Sequence, residues 1–450
     1  MKTKRTYAAV DVERFELSTV LHLVTVGCII AIDVAKSKFV AAIATAAGEV
    51  LKLVRFEHPR QTALFLEVLR ELQRAERKPV VVMEPTGTYG DAVRYRCHEL
   101  GLPVHMMPPK YSHDFAEVLD GVPSMHDPKA ATVLAKLQAI RPARAWEPMT
   151  EARRDLRAWV DQRNPIARTL ALYQGHLEAM LVRHWPEFGT YVDVYDQRSW
   201  FALLKEYPGP EAVARSSEAA AQTLRKASRG QFGHDRVRAI VDSAKATTGV
   251  PMTAGEQEKL CAIAEQIELH TRRLDALDTK LAELLSSDVE LSRMATVVGP
   301  ACAASIGALV GSPLAYTNAR ALEKAMGLNL KETSSGNTKG RVSITKRGPG
   351  QVRHLMFMAA LRLLKGDATA SAWCRARKEY EAGKKLKAVV ALMRRLARAL
   401  WHVARGVSFD ASKLFDTRRL DTTRPISRNN APTSPCVMAC EPNQGGAATA

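Results

Sequence analysis

The chain has no hydrophobic run of the roughly 18 residues needed to span a bilayer. The apolar stretch at residues 24–32 is short and has no cleavage-like end, so neither a secretory leader nor a membrane role is expected. Cysteine is scarce: seven residues, odd in number and scattered. That excludes a disulfide framework and fits a reducing cytoplasm. Cys436 and Cys440 stand close together, but no other Cys or His pair has zinc-finger spacing, and they read as free thiols. Acidic residues are in deficit too. There are 47 Asp or Glu against 65 Lys or Arg, a net charge of +18. Such an excess favours a polyanionic partner, nucleic acid before membrane. It is concentrated in residues 341–420, which hold 19 Lys or Arg against 5 Asp or Glu, a local balance of +14.

What is present begins with carboxylates at the ends of apolar runs. Ile29-Ile30-Ala31-Ile32-Asp33 reads as a buried strand that ends on an acid. Further strands are expected at 38–45 and 50–56, then a helix at about 60–76. The run Val80-Val81-Val82-Met83 ends on a second acid, Glu84. A helix near 89–100, a strand at 103–107 and a helix at 128–140 follow, an alternating α/β order. Two acids at the ends of two buried strands suit a divalent-metal phosphodiester site. Singly, each reads as well as a turn or helix-cap residue. Asp127 is the third candidate. It precedes Pro128 at a helix start, where a plain N-cap is the simpler reading.

From about residue 150 the pattern turns helical. Leu260, Ile263, Ile267, His270, Leu274, Leu277, Leu281 and Leu284 repeat at 3-4 spacing over about four heptads. A partner helix is expected at 151–182, where Leu170, Tyr173, Leu177 and Met180 repeat likewise. The seam serves either self-association or an intramolecular helix pair. Residues 186–250 read as a helical insert within a 150–290 helical region. A last globular unit spans 291–420, and the tail at 421–450, rich in Thr, Pro, Asn, Gly and Ala, is expected to be disordered. Residues 1–26 form an extension before the α/β domain at 27–145.

Two basic features carry further chemistry. The stretch from Lys331 to Gly350 interleaves Ser334, Ser335 and Gly336 with Lys339, Arg341, Lys346 and Arg347. It reads as a solvated loop, or as a serine nucleophile among phosphate-holding cations. Later, Lys387, Arg394, Arg398 and Arg405 fall within roughly 40° on a helical wheel. No acid lies within that stripe, which suits phosphate contacts.

Together these motifs resemble a family: the bacterial insertion-sequence transposases that pair a RuvC-like acidic domain with a C-terminal transposase domain. They are relatives of the Piv/MooV invertases and are understood as bridge-RNA-guided serine recombinases. The likeness covers about residues 26–420. It rests on Ile32-Asp33-Val34-Ala35-Lys36, Glu84-Pro85-Thr86-Gly87-Thr88-Tyr89, His126-Asp127-Pro128-Lys129-Ala130-Ala131, Val298-Gly299-Pro300, Gly327-Leu328-Asn329-Leu330, Ser334-Ser335-Gly336 and Ile344-Thr345-Lys346-Arg347-Gly348. The resemblance implies an RNase H-like (RuvC-like) α/β domain, a helical coiled-coil region, and a mainly α-helical transposase domain. It implies Ser335 as the nucleophile and Asp33, Glu84 and Asp127 as ligands of Mg²⁺ or Mn²⁺. The family's fourth acid falls on Ala130; Asp120 and His126 are the nearest candidates to replace it, neither of them part of the family's motif, and Asp120 is preferred because hard Mg²⁺ favours oxygen ligands. Donor and target DNA, a guide RNA, a homodimer or tetramer, and a bacterial, nucleoid-associated location follow from the same likeness. Two other readings stand beside it: a junction-resolvase-like metal nuclease, and a nucleic-acid-binding protein with a decayed acidic site.

Overall fold

A computed structural model describes residues 8–121, 126–193, 199–335, 338–377, 384–416 and 420. The side chains of Asp120, Thr333, Ser334, Ser335, Thr338, Lys339 and Arg341 lie outside the described set, as does the tail at 421–450. The chain divides into two units, Met1–Met149 and Thr150–Ala450. No helix among the described residues is long and apolar enough to cross a membrane.

The first unit is a mixed sheet between helical layers. In chain order its elements are β1 (Ala9–Asp11), α1 (Ser18–Leu21), β2 (Ile29–Asp33), β3 (Lys38–Ala44), β4 (Val50–Glu57), α2 (Thr62–Arg74), β5 (Val80–Met83), α3 (Asp91–Glu99), β6 (Val104–Met106), α4 (Pro109–Asp120), α5 (Asp127–Ile140) and β7 (Arg144–Ala145). The strand order is β1-β4-β3-β2-β5-β6-β7. Strands β2, β3 and β4 run antiparallel, while β5 and β6 continue parallel to β2. This is the RNase H-like arrangement expected from the sequence.

Alternation explains how the sheet is covered. On one face Ile30, Ile32, Val81 and Met83 pack with Phe65, Leu69 and Leu72 of α2 and with Val93 of α3. Phe56 and Phe65 stack with centroids 4.2 Å apart. Leu69 is wholly buried, and truncating such a leucine to alanine costs about 2–5 kcal/mol. On the other face Ile29, Ala31 and Val82 pack against Ala131, Leu134 and Ala135 of α5. The small side chains at Ala31, Ala131 and Ala135 let this helix lie close to the sheet.

Residues 9–24 belong to this unit rather than to a separate extension. β1 adds to the sheet edge beside β4, and Val12, Leu17, Val20 and Val24 are buried in the α2-side core. Elements of three and four residues are too short to show a period, so the sequence gives no sign of them. The helix α4 was also unexpected, although Pro108-Pro109 places a proline at its first position, a helix-start signal.

The second unit is helical, with one hairpin. Two long helices, α6 (Glu151–His184) and α12 (Ala254–Ser286), pack against each other along their length. Thr253 and Glu256 close a capping box at the start of α12. Between them lie α7 (Phe188–Tyr191), α8 (Trp200–Glu206), α9 (Pro210–Arg215), α10 (Ser217–Ala227) and α11 (His234–Lys245). These short helices build a core around Trp185 and Trp200 at one end of the pair. The other end joins a second core with α13 (Val289–Val298), α14 (Pro300–Leu309), α15 (Ala319–Ala325), β8 (Leu330–Ser335), β9 (Thr338–Ile344), α16 (Gly350–Gly366), α17 (Ala368–Arg375) and α18 (Lys385–Ala404).

The heptad seam is used inside the chain. Leu260, Ile263 and Ile267 enter the insert core, and Leu281 enters the C-terminal core. His270 stacks on Tyr173 of α6, centroids 5.8 Å apart, and Arg163 of α6 bonds Asp278 of α12. The expected partner helix is therefore the real one. The seam thus serves an intramolecular helix pair, with Leu260, Leu277 and Leu281 buried and Leu274 and Leu284 half-buried.

Candidate active site

Asp33 is the last residue of β2, and Glu84 directly follows β5. The two strands are parallel neighbours with Ile32 opposite Met83. The acids therefore emerge side by side from adjacent strand ends, whose backbones lie about 4.8 Å apart. Period-two alternation sends Asp33 to the face of Ile29 and Ala31, and Glu84 to the face of Val82. Both belong to the face covered by α5.

Helix α5 brings the third acid. The turn between β3 and β4 holds Gly48 at φ +82, where a Cβ would lie 2.9 Å from the Cβ of Ala139 and 3.1 Å from the Cα of Lys136. That close approach puts the C-terminal end of α5 beside the start of β2, so its first turn lies toward the acidic strand ends. Asp127 is the first residue of that turn. It is not the cap. The preceding His126 caps the helix, its Nδ1 accepting from the Lys129 amide at 3.3 Å. The N-cap reading of Asp127 is corrected, which leaves its carboxylate available at the positive end of the helix dipole.

The three charges act on one another. Burial raises the Asp33 carboxyl from 3.8 to about 7, with further upward pushes from Asp127 and then Glu84. Without a counter-charge, Asp33 is half protonated near neutrality. Glu84 has a partner that sequence reasoning missed: the Ser112 hydroxyl of α4 donates to its Oε1, and Ser112 is almost fully buried. The one available signal was the proline pair that starts α4.

These residues fit a hard divalent cation by donor chemistry. All three offer carboxylate oxygen, and their mutual repulsion in a part-buried site is what a cation relieves. Among the described residues no three acid, His or Cys side chains are close enough to hold an ion as they stand. The fourth family position, Ala130, lies one helical turn after Asp127 and offers no oxygen. Asp120 ends α4, but its side chain is outside the described residues.

In the second unit Ser335 is the last residue of β8, paired in register with Thr338 of β9. The expected loop is thus a β-hairpin. Its base is clamped: the Thr345 hydroxyl donates to Asn329 Oδ1 at 2.6 Å, and Arg353 donates to the Gly348 carbonyl at 2.6 Å. Gly327, at φ +71, lies so close that a Cβ would meet the Arg347 backbone at 2.9 Å. Lys346 and Arg347 are exposed at this base. The side chains of Lys339 and Arg341 lie outside the described residues.

The basic stripe of α18 is placed differently from the expectation. Arg394 pairs with the buried Glu323 of α15 at 2.7 Å and donates to the Leu328 carbonyl at 3.0 Å. Arg398 reaches the other oxygen of Glu323 at 3.4 Å. Arg405 stacks 3.5 Å over Trp401 and donates to the Tyr316 carbonyl at 3.3 Å. The acid missing from the stripe is supplied by another helix, which a helical wheel cannot show. Arg394 and Arg405 are structural ties, and Lys387 alone of the four is exposed without such a tie among the described residues.

Comparison with known proteins agrees with both halves. Residues 30–186 match the IS110-type DEDD transposase family, which spans the acidic sheet and ends just past α6. Residues 291–375 match the transposase IS116/IS110/IS902 family, which spans the Ser335 hairpin. No curated protein matches the chain. Families with this acidic domain typically use a divalent metal. With an acidic RNase H-like sheet in one unit, a serine hairpin in the other, and matches over more than half its length, this chain belongs to the IS110 family of transposases, enzymes that act on DNA.

Proposed function

We propose that this transposase cuts and rejoins DNA strands through Ser335, assisted by a divalent cation at Asp33, Glu84 and Asp127, with an element-encoded RNA choosing the DNA. The observation that carries the reading is the coupling of the three acids: Asp33 is driven to about 7 by burial and by the charges of Asp127 and Glu84. A hard cation such as Mg²⁺ or Mn²⁺, held by these carboxylates, would draw charge from the oxygens of a phosphodiester. Ser335 Oγ bonds to phosphorus as the P–O bond to one strand breaks; the strand oxygen leaves with the bonding pair and takes up a proton, matching the one that Ser335 gives up. The phosphoserine keeps the bond energy. Attack by the hydroxyl of an incoming strand reverses the step and restores Ser335. Joining two DNA molecules requires several strand breaks. Each needs its own serine, so more than one copy of the chain takes part.

The test is an adduct assay with protein, guide RNA, Mg²⁺ and end-labelled DNA. The intact chain yields a covalent protein–DNA species, and Ser335→Ala yields none while still binding nucleic acid. An adduct peptide mapped to Ser334 reassigns the nucleophile. Free cut ends without adduct indicate the hydrolytic, resolvase-like reaction instead. Retention without cleavage indicates a binder.

A further inference from the structure

A cleft of about 770 Å³ runs along the C-terminal half of α18, in the second unit. It is within the size range of ligand pockets. Four cationic side chains line it: Arg395 and Arg398 of α18, Arg320 of α15, and Lys413 of the segment after α18. The one carboxylate among the lining residues is Asp410, already bonded by the Ser412 amide at 2.9 Å and the Ser412 hydroxyl at 2.6 Å. Burial and the charges of Arg398, Arg377 and Arg394 lower the pKa of Arg395, so these guanidiniums repel one another. Glu323 pairs with Arg394 and Arg398, while Arg395 donates to the Leu414 carbonyl and lies over the rings of Trp373 and Phe415. With four cations and one already bonded carboxylate in its lining, the cleft carries an excess of positive charge.

Three rings, Trp401, His402 and Phe409, stand among the remaining lining residues. Trp401 donates its indole N–H to the Tyr316 carbonyl at 3.0 Å, and Arg405 covers one of its faces. His402 meets Trp401 edge-on, with centroids 4.9 Å apart, and is itself exposed. Phe409 lines the same cleft. Guanidiniums beside fixed rings recognise a phosphate and a base together. A duplex keeps its bases stacked inside and offers only its backbone to such a recess.

We propose that this cleft holds unpaired nucleotides of a single strand, with phosphates on Arg320, Arg398 and Lys413 and a base against His402. The cleft shares no residue with the Ser335 hairpin or the three acids, so its failure would leave the recombinase reading standing. The test uses the full chain and fluorescence anisotropy with short labelled oligouridylate, oligothymidylate and a DNA duplex. Arg320→Glu with Lys413→Glu, both exposed, should weaken single-strand binding about tenfold or more. The slope of log affinity against log salt should flatten by about 1.4, two contacts at about 0.7 each. His402→Ala should cost at least about fivefold. Independently of any variant, an oligonucleotide carrying 5-iodouracil should crosslink to Trp401, His402 or Phe409 of the unaltered protein. Loss confined to the ribose probe identifies RNA as the ligand, loss confined to the deoxyribose probe identifies DNA, and loss on both marks a site that reads neither sugar. The proposal is overturned if the charge reversals leave affinity and slope unchanged, if duplex binding falls as much as single-strand binding, or if crosslinks map outside residues 318–320 and 395–414.

Discussion

Replacing Asp33 by asparagine should stabilise the protein at neutral pH while abolishing strand cleavage. In the folded chain the Asp33 carboxyl is raised from 3.8 to about 7. Below pH 4 the group is protonated both folded and unfolded, and it affects stability little. As the pH rises from 4 to 7 the unfolded chain releases this proton while the folded chain holds it, so stability is lost across that window. At about 1.4 kcal/mol per unit, the loss is about 2 kcal/mol at pH 5 and about 4 kcal/mol at pH 8. An asparagine side chain has the same shape and no charge, so Asp33→Asn should recover these amounts. For a unit of this size each kcal/mol moves the melting temperature by about 2–4 °C. The advantage of the variant should therefore grow by roughly 5–10 °C between pH 5 and pH 8. Scanning calorimetry of the full chain in metal-free buffer, followed at the transition of the first unit, measures it. Adding Mg²⁺ at pH 8 should raise the melting temperature of the parent and leave the variant nearly unmoved, since the cation takes the place of the proton. If the advantage is the same at both pH values, or the variant is the less stable protein at pH 8, then the three carboxylates are not coupled as described.

Ser112→Ala removes the hydroxyl that orients Glu84, and loss of such a supporting partner typically costs about 10–100-fold in metal affinity or activity; a Mg²⁺ titration of cleavage should shift accordingly, and an unshifted curve would make Ser112 a packing residue. Asp120→Asn should raise the Mg²⁺ concentration for half-maximal cleavage, and Ala130→Asp should restore it in that background; an unchanged requirement would leave the site with three acids. Leu281→Glu places a charge in the fully buried end of the α12 seam, a loss of several kcal/mol. Circular dichroism should show a collapsed melting temperature, whereas a smaller, equally stable species in light scattering would return the seam to self-association.

Much of this molecule was legible along the chain. The apolar runs placed Asp33 and Glu84 at strand ends, while the parallel register of β2 and β5 put them on one face. The 3-4 repeat of α12, and the matching repeat of α6, showed both long helices before either was seen. Local chemistry also marked the start of α5 at Pro128. What sequence could not decide was what lies across from each face. The cap of α5 is His126 because its ring reaches the Lys129 amide, so Asp127 is left to join the acids. Ser112 meets Glu84 across 28 positions, and Glu323 meets Arg394 across 71. These are pairings of residues whose separation carries no period, and only the packed chain makes them neighbours. The same limit explains the seam: heptad spacing says that a helix needs a partner, and the tertiary fold supplied one from within the chain. Periodicity determines which side of an element is buried, whereas burial, charge coupling and cation pairing depend on which distant segment comes to cover it.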